Sequence, residues 1–399
     1  MTDRAPTLEA DEMLPDYVGR SLVNLMQSVA AACGVRAARY PPLNLALPRA
    51  LGEARNLLLL VIDGMGEALL QQAGQGTQLL AHRVGTLTSV FPSTTAAAVT
   101  TLLTGFAPAQ HGLTGWHMHF AEAGSVLAVL PLTRRVVRPY QCEWPALPPL
   151  KDLFDCRGLF GALDRRSHVV SPEAIADSVF NRFHTRDAQS HAYSGRDALF
   201  DCVAEIARGG GRRKYIYAYY DGLDSLSHRV GAYGDAAATE LRQLDAGFAR
   251  LLQRIEGSDT IVLVTADHGF IDSPEARGID LAEHPELSAM LAQPLCGEPR
   301  AAYCYVEPRH SDAFEDYVTR RLGHALRCVR SDVLVRSGWF GPGVPNSRLA
   351  GRVGTHTLVM RDNWTIRDWL EGERRYRQIG VHGGLSKREI QVPLIAAHR

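Results

Sequence analysis

Acidic and imidazole side chains recur where the apolar runs of this sequence end. Three such runs are followed within a few residues by an aspartate, and a histidine precedes the last run. Oxygen and imidazole donors with no thiolate beside them are the ligands that suit zinc or manganese. The pattern therefore predicts a metal site. Its candidate ligands are Asp63, Asp224, His228, Asp267, His268 and His382.

Asp221 is an alternative to Asp224, because both follow the same apolar run. The four-residue spacing from Asp224 to His228 places these two side chains on one face of a helix, which favours Asp224. Asp221 lies on the adjacent part of such a helix, so spacing alone leaves both residues open.

Two neighbouring hydroxyls, Thr94 and Thr95, precede a run of small residues that predicts a helix over Thr95 to Leu103. Free N–H groups and the positive end of the helix dipole attract an anion to such a position. A threonine hydroxyl is a poor nucleophile until a dication favours its alkoxide. The segment predicts an anion site with a hydroxyl nucleophile.

Alternating strands and helices must position these groups, and they indicate an α/β fold with a largely parallel central sheet flanked by helices. Ligands of open α/β sheets bind beyond the carboxyl ends of the strands. The predicted strands are Asn56–Ile62, Thr86–Val90, Tyr215–Tyr220, Thr260–Thr265 and Ile390–Ala397. Further helices are predicted over Leu22–Ala32 and Ala236–Ile255.

Two less regular segments, rich in arginine, proline and tryptophan, interrupt this alternation. We expect them to form a small inserted lid, with Arg134, Arg135 and Arg138 on a solvated face. The expected division is a core over 1–118, 166–289 and 376–399, with lid insertions at 119–165 and 290–375.

Composition excludes several classes of protein. Among 399 residues, 43 Lys and Arg balance 43 Asp and Glu, which argues against a chain that coats nucleic acid. The seven cysteines contain no Cys-x-x-Cys pair, as expected for reduced thiols. The sequence has neither an apolar run of membrane-helix length nor a secretory signal, so we expect a cytoplasmic protein without a membrane partner.

These motifs together resemble the alkaline phosphatase superfamily and, within it, the type I phosphodiesterase/nucleotide pyrophosphatase branch. The resemblance runs from Leu57 to Pro393 and rests on short motifs in the family's order. They are Val61-Ile62-Asp63-Gly64, Thr95 with Thr104-Gly105 and His111-Gly112, Asp224-Ser225-Leu226-Ser227-His228, Thr265-Ala266-Asp267-His268-Gly269 and His382-Gly383-Gly384.

The resemblance implies a two-metal phosphoric ester hydrolase, with zinc the expected metal and manganese an alternative. It implies one ion held by Asp224, His228 and His382, and a second held by Asp63, Asp267 and His268 and touched by the nucleophile. The family's nucleophile lies nine residues before the Thr-Gly pair, which implies Thr95 rather than Thr94. A covalent threonine intermediate follows from that role.

One position departs from the family pattern. The phosphodiesterase branch usually has an asparagine where this chain has Trp116, so oxyanion stabilisation must come from the helix N-terminus, the metals or a neighbour such as His117. The expected substrate is a small phosphate ester or nucleotide. A phosphomonoesterase or phosphonate hydrolase with the same centre is the first alternative, and a non-catalytic metal-binding protein is the second.

Overall fold

The described strands form two seven-stranded sheets and two short two-stranded ones. The computed structural model describes residues 7–48, 51–135 and 145–399, so Arg138 lies outside the described residues. The strands are β1 (Asn56–Ile62), β2 (Arg83–Thr88), β3 (His117–Phe120), β4 (Ser125–Ala128), β5 (Thr133–Arg134), β6 (Arg166–Pro172), β7 (Gln189–Tyr193), β8 (Lys214–Tyr220), β9 (Thr260–Thr265), β10 (Ile271–Asp272), β11 (Gly278–Asp280), β12 (Cys296–Glu298), β13 (Ala301–Cys304), β14 (Leu326–Arg330), β15 (His356–Met360), β16 (Thr365–Arg367), β17 (Gly380–Val381) and β18 (Gln391–His398).

The first sheet is mixed and has the strand order β2-β18-β9-β1-β8-β6-β7. β9, β1, β8, β6 and β7 pair parallel in that order, whereas β18 is antiparallel to both β9 and β2. All seven residues of β1 are buried, as its unbroken apolar run requires when both faces of a sheet are covered. Because β9, β1 and β8 are parallel neighbours, their carboxyl ends meet at one edge of the sheet.

Helices flank this sheet and pack against one another in two groups. In one group α11 packs on α9, α10, α2 and α3, and in the other α4 packs on α1, α5 and α8. The α-helices are α1 (Leu22–Ala32), α2 (Glu67–Ala73), α3 (Gln78–Ala81), α4 (Thr95–Thr104), α5 (Pro108–His111), α6 (Leu150–Leu153), α7 (Glu173–Ala176), α8 (Val179–His184), α9 (Arg196–Arg208), α10 (Gly222–Val230), α11 (Asp235–Arg254), α12 (Pro285–Ser288), α13 (Ser311–Tyr317), α14 (Ser331–Arg336), α15 (Leu349–Arg352) and α16 (Lys387–Ile390).

The second seven-stranded sheet has the order β14-β15-β13-β12-β3-β4-β5, and its pairings are antiparallel. Its strands come from 117–134 and 296–360, which overlap the two segments expected to be less regular. These segments pair with each other across the chain through β3 and β12, and this second sheet was not predicted from the sequence. A separate buried cluster packs around Phe314, Leu358 and Met360 on this sheet.

The predicted core elements are confirmed to within three residues at each end. α1, β1 and β9 have the predicted bounds, α4 and β8 differ by one residue at one end, and α11 and β18 differ by one residue at each end. No helix in the described part of the chain is long and apolar enough to cross a membrane. The cytoplasmic location stays a prediction.

Candidate metal centre

Three carboxyl groups, two of them buried and that of Asp224 half-buried, meet at the common edge where β1, β8 and β9 end. Asp63 follows β1, Asp267 follows β9, and Asp224 lies in the first turn of α10, which follows β8. Each keeps one buried oxygen that no described group hydrogen-bonds: Asp63 Oδ1, Asp224 Oδ1 and Asp267 Oδ2. Buried polar atoms are nearly always satisfied, so three orphaned acceptors in one place indicate a cationic ligand.

Three imidazoles complete the cluster, each held at Nδ1 by a backbone carbonyl. Nδ1 lies 2.8 Å from Gly380 O in His228, 3.1 Å from Gly269 O in His268 and 3.2 Å from Ser93 O in His382. A carbonyl oxygen accepts only, so Nδ1 donates and Nε2 presents its lone pair. This carbonyl contact is the usual way in which a protein orients a metal-binding histidine.

The Nε2 atoms face the orphaned carboxylate oxygens. His268 Nε2 lies 3.3 Å from Asp63 Oδ1 and 3.6 Å from Asp267 Oδ2, and His228 Nε2 lies 3.4 Å from Asp224 Oδ1. His382 Nε2 lies 3.9 Å from Asp224 Oδ1, and its ring stacks on His268 with the centroids 3.7 Å apart. His268 of one implied ligand set and His382 of the other are therefore in direct contact.

Two groups of these side chains have ligand atoms within 4.8 Å of one another. The first is Asp63, Asp267 and His268, which is the set that the family resemblance implies for one ion. The second contains Asp224 and His382 of the other implied set, with His268 as its third member. His228 adjoins that second group through Asp224. The structure thus brings all six predicted ligands together.

Electrostatics also favour bound cations. Burial, then the nearby carboxylates, raise the pKa of Asp63 and of Asp224 well above the usual range, because the charges repel one another away from water. Burial lowers the pKa of His228 to about 4 and lowers that of His382 well below its usual range, which keeps both imidazoles neutral. Neutral imidazoles and clustered carboxylates fit divalent ions of the zinc or manganese type.

The two candidate hydroxyls point to different partners. Thr95 is the first residue of α4, and its Oγ1 lies 3.1 Å from His268 Nε2. Thr94 precedes the helix, is buried, and its hydroxyl donates to Glu298 Oε1 at 2.6 Å. The Thr95 hydroxyl therefore faces the cluster, whereas the Thr94 hydroxyl is hydrogen-bonded to Glu298.

A cavity of about 230 Å³ opens beside the cluster. The indole of Trp116 is 40% exposed there, and burial lowers the pKa of His117 to about 3, so that imidazole is neutral. The cavity is lined by Thr94, Thr95, Trp116, His117, Asp224, His228, Gly297, Glu298, Pro299, Arg367, Tyr376, Gln378, Val381 and His382.

Glu298 and Arg367 line this cavity and were missed from the sequence. Glu298 Oε1 accepts from the Thr94 hydroxyl and, at 2.7 Å, from the backbone N–H of Trp116. Burial raises the pKa of Glu298 to about 7. Both residues come from segments predicted as irregular, where no strand-end pattern marked them. Glu298 therefore contacts Trp116, the residue at which this chain departs from the family pattern.

Two further sequence interpretations are tested by the geometry. Asp221 lies at the N-terminus of α10 and belongs to neither ligand group among the described residues. Arg135 is not on a solvated face: its side chain is 6% exposed and pairs with Asp368 and Glu373, each at 2.8 Å. The prediction for Arg135 was wrong because two carboxylates from the later segment cover it.

Comparisons with known proteins agree with this architecture. The family model described as type I phosphodiesterase / nucleotide pyrophosphatase matches residues 57–385. Murine ectonucleotide pyrophosphatase/phosphodiesterase 5 aligns with a TM-score of 0.64 at 16% identity, over 85% of this chain and 87% of its own. An inactive threonine-to-alanine variant of that murine protein, in complex with AMP, gives 0.62 at 15% identity, over 85% and 87%.

Phosphonoacetate hydrolase from Sinorhizobium meliloti 1021, in complex with phosphonoformate, is about as similar. Its TM-score is 0.63 at 16% identity, with 90% of this chain and 91% of that chain covered. At such identities the likeness of these structures establishes the fold, and the family model covers more than half of the chain.

Proposed function

The chain belongs to the type I phosphodiesterase / nucleotide pyrophosphatase family of the alkaline phosphatase superfamily, and we propose that it is a two-metal phosphodiesterase acting through Thr95. The observation that carries the proposal is the convergence of three orphaned carboxylate oxygens and three Nε2 atoms beside one threonine hydroxyl. Such a set of donors has no evident structural purpose without cations.

The residues present fit two divalent ions. Asp63, Asp267 and His268 would hold one, and Asp224, His228 and His382 would hold the other. When bound, a pair of such ions supplies Lewis acidity and charge neutralisation at a phosphoryl group. Three aspartates offset most of the charge of two dications, so the loaded pocket attracts a phosphate ester without holding the product too tightly.

Thr95 is the proposed nucleophile. Its Oγ1 attacks phosphorus in line, so one P–O bond forms while the P–O bond to the leaving alcohol breaks, and the hydroxyl proton leaves with that alcohol. Water then cleaves the phosphothreonine ester, which restores the hydroxyl and releases the second product. The N-terminus of α4 faces the transferred group with its unpaired N–H groups. The inactive threonine variant of the murine relative supports this role.

A phosphonate hydrolase or phosphomonoesterase with the same centre is the second candidate. Two observations favour it: the fold is as similar to phosphonoacetate hydrolase as to the murine diesterase relative, and Trp116 replaces the asparagine of the diesterase branch. Trp116 contributes its backbone N–H to Glu298 instead of an amide to the substrate. Measured turnover of each substrate class must therefore distinguish a phosphodiesterase from a phosphonate hydrolase or phosphomonoesterase.

The test compares substrates on one metal-loaded preparation. We expect bis-p-nitrophenyl phosphate and a nucleoside 5′-p-nitrophenyl phosphate to be hydrolysed faster than p-nitrophenyl phosphate or phosphonoacetate, with activity lost on chelation and restored by Zn²⁺ or Mn²⁺. His382→Gln should abolish this activity, whereas the control His398→Gln should not, because His398 is half exposed and pairs with Asp259. Absence of turnover on all four substrates, with metal bound stoichiometrically, would support a metal-binding protein instead.

A further inference from the structure

We propose that Arg367 forms a subsite beside the metal centre for a second anionic group of the substrate, a carboxylate or a phosphate. This inference deepens the proposed function and rests on it, since the metal centre is taken to hold the reacting phosphoryl group. It narrows the substrates from phosphate esters in general to those that carry a second negative charge.

Arg367 stands at the junction of the cavities around the centre. It ends β16 and lines the 230 Å³ cavity beside Thr95 and His382. It also lines an adjoining cavity of about 400 Å³ and a third of about 380 Å³. Among the described residues that line the cavity at the metal centre, it is the single arginine or lysine.

The guanidinium of Arg367 has no counter-ion in the described part of the chain. No carboxylate oxygen there approaches it within ion-pair distance, although burial lowers its pKa below the usual arginine range. Arg135, on the wall of the adjoining cavity, pairs with both Asp368 and Glu373. Arg367 is half-buried, and leaving an enclosed cation without a counter-ion costs free energy, so its retention here indicates an anion supplied by a ligand.

Neighbouring side chains hold Arg367 in place without neutralising it. Its guanidinium carbon lies 5.7 Å from the ring centroid of Trp369 and 5.5 Å from that of Tyr376, both within cation–π range. It donates to the side-chain oxygen of Gln378 and also bonds the Tyr376 side chain. Since a guanidinium carries five N–H donors, several remain for a planar oxyanion.

Glu298, an acid that lines the same cavity as Arg367, is engaged elsewhere. Its Oε1 accepts from Thr94 and Trp116, and no ion pair joins it to Arg367. Tyr376 is 52% exposed and Trp116 is 40% exposed, so two aromatic faces flank the space between Arg367 and the cluster. The space therefore offers a positive group, aromatic walls and the metal ligands together.

A matched set of aryl diesters tests the proposal. The substrates are phenyl p-nitrophenyl phosphate and its derivatives with a carboxylate or a phosphonate at the para position of the phenyl ring. All three release p-nitrophenol, so the second anion is the variable, and the two derivatives distinguish carboxylate from phosphate. We expect the wild-type protein to favour a derivative with a second anion over the unsubstituted diester by roughly tenfold or more in kcat/KM, the scale of a charge-assisted hydrogen bond.

Two variants and a control separate this role from folding. Arg367→Met should remove the preference for the derivatives with a second anion over the unsubstituted diester, and Arg367→Lys should keep part of it. Arg277→Met is the control, because Arg277 is 41% exposed, pairs with Asp362 and does not itself line any of these three cavities. Its preference should equal that of the wild type.

Binding gives a second readout that does not depend on turnover. In a Thr95→Ala background, calorimetric titration should show the derivatives with a second anion binding more tightly than the unsubstituted diester, and Arg367→Met should abolish the difference. Equal preference in wild type and Arg367→Met would overturn the subsite. If the unsubstituted diester is not hydrolysed, the proposed function fails, and the titration still decides whether Arg367 binds the second anion.

Discussion

Thr94 and Thr95 differ by one position and by everything that surrounds their hydroxyls. Thr94 precedes α4 and its hydroxyl donates a hydrogen bond to Glu298, whereas Thr95 begins the helix and its hydroxyl lies close to His268. Successive residues at a helix start point about 100° apart, so one local geometry sends the two side chains to different walls. The two positions therefore separate a hydroxyl that is bonded to Glu298 from the hydroxyl that we propose as the nucleophile.

The first prediction distinguishes these two hydroxyls. Thr95→Ala should lower kcat roughly 10³-fold or more, because the step that needs the nucleophile is lost, while metal content stays the same. Thr95→Ser should retain part of the activity, since it keeps the hydroxyl. Steady-state kinetics measure kcat, and metal analysis measures the metal content. Mass spectrometry of acid-quenched enzyme detects the covalent threonine intermediate, which Thr95→Ala should lack. The matched Thr94→Ala variant should keep most activity; a larger loss there than in Thr95→Ala would move the role to Thr94.

Glu298 places a titrating carboxyl in the path of an anionic substrate. Its pKa near 7 means that it is neutral below that pH and negative above it. Bound cations would lower this pKa, so the change of charge is expected at or below pH 7 in the loaded enzyme. A negative carboxylate repels a phosphate diester, which makes substrate affinity depend on pH at this position.

The second prediction follows from the repulsion between the Glu298 carboxylate and an anionic diester. KM for an anionic diester should rise by roughly three- to tenfold between pH 5.5 and 8 in the wild type, as expected for two unit charges several ångströms apart at high effective dielectric. Glu298→Gln keeps an acceptor for Thr94 and Trp116 but has no charge, so its KM should be low and flatter. Initial rates across the pH range measure both. An identical pH dependence in the variant would contradict the prediction.

The residues that follow the core strands are marked in the sequence, whereas Glu298 and Arg367, which face them from strands outside the first sheet, are not. Asp63 and Asp267 are marked by the long apolar runs before them. Glu298 and Arg367 end strands of three residues, too short to give a periodic pattern. Their proximity to Thr94 and Thr95 arises from contacts some two hundred or more positions apart, which one sequence does not reveal.

At the scale of elements, the turn after β1 positions the cluster. Gly64 has a φ of +73°, and a Cβ there would lie 2.3 Å from the ring of Phe270. That ring packs edge-on against the imidazoles of His228, His268 and His382. A side chain at Gly64 would therefore displace the packing that three candidate ligands share.

The third prediction compares two glycines of equal backbone conformation. Gly64→Ala should lower the free energy of unfolding by roughly 2–5 kcal/mol, combining left-handed strain with overlap at Phe270. Gly105→Ala, with a φ of +74° and no heavy atom within 4 Å, should incur the strain alone, about 1–2 kcal/mol. Urea denaturation measures stability, and metal titration should show weaker binding in Gly64→Ala only. Equal effects of the two variants would show that Phe270 is not constrained.

Five strands of the first sheet were predictable because they contain apolar runs, and its long helices were predictable because they are periodic, whereas β6 and β7 were not predicted. The direction of β18 was not: the expected parallel sheet has an antiparallel strand between β2 and β9. The second sheet also escaped prediction, since β3 pairs with β12 from far along the chain and several of its strands have four residues or fewer. Short strands joined by long-range pairing carry little local signal.

For the molecule as a whole, the clustered acids oppose folding when no cation is bound. Asp63, Asp224 and Glu298 all have pKa values raised first by burial, so the folded chain holds more protons than the unfolded one above the ordinary carboxyl range. Stability falls as pH rises wherever the folded state binds more protons. The neutral histidines act in the opposite sense, but only below their unfolded pKa of about 6.5. Above neutral pH the carboxyl effect stands alone.

The fourth prediction uses this fall in stability with rising pH to test whether the cluster is a metal centre. Zn²⁺ should raise Tm more at pH 8 than at pH 6, because at pH 8 it relieves carboxylate repulsion and displaces fewer protons. In chelator at pH 8, Asp63→Asn should melt about 2–4 °C above the wild type, since it removes one uncompensated charge and keeps an acceptor for Tyr219. With Zn²⁺ the order should reverse, as the variant lacks a ligand.

Asp259→Asn is the opposite case and serves as the control. Hydrogen bonds from His398 and the Arg55 backbone lower the pKa of this exposed carboxyl, so its charge favours the folded state. Neutralising it should therefore lower Tm slightly, equally with and without metal. Calorimetric melts of the three proteins in chelator and in Zn²⁺ decide the matter. If Asp63→Asn melted below the wild type in chelator, the acids would form a satisfied structural network, and the reason for placing cations among them would be gone.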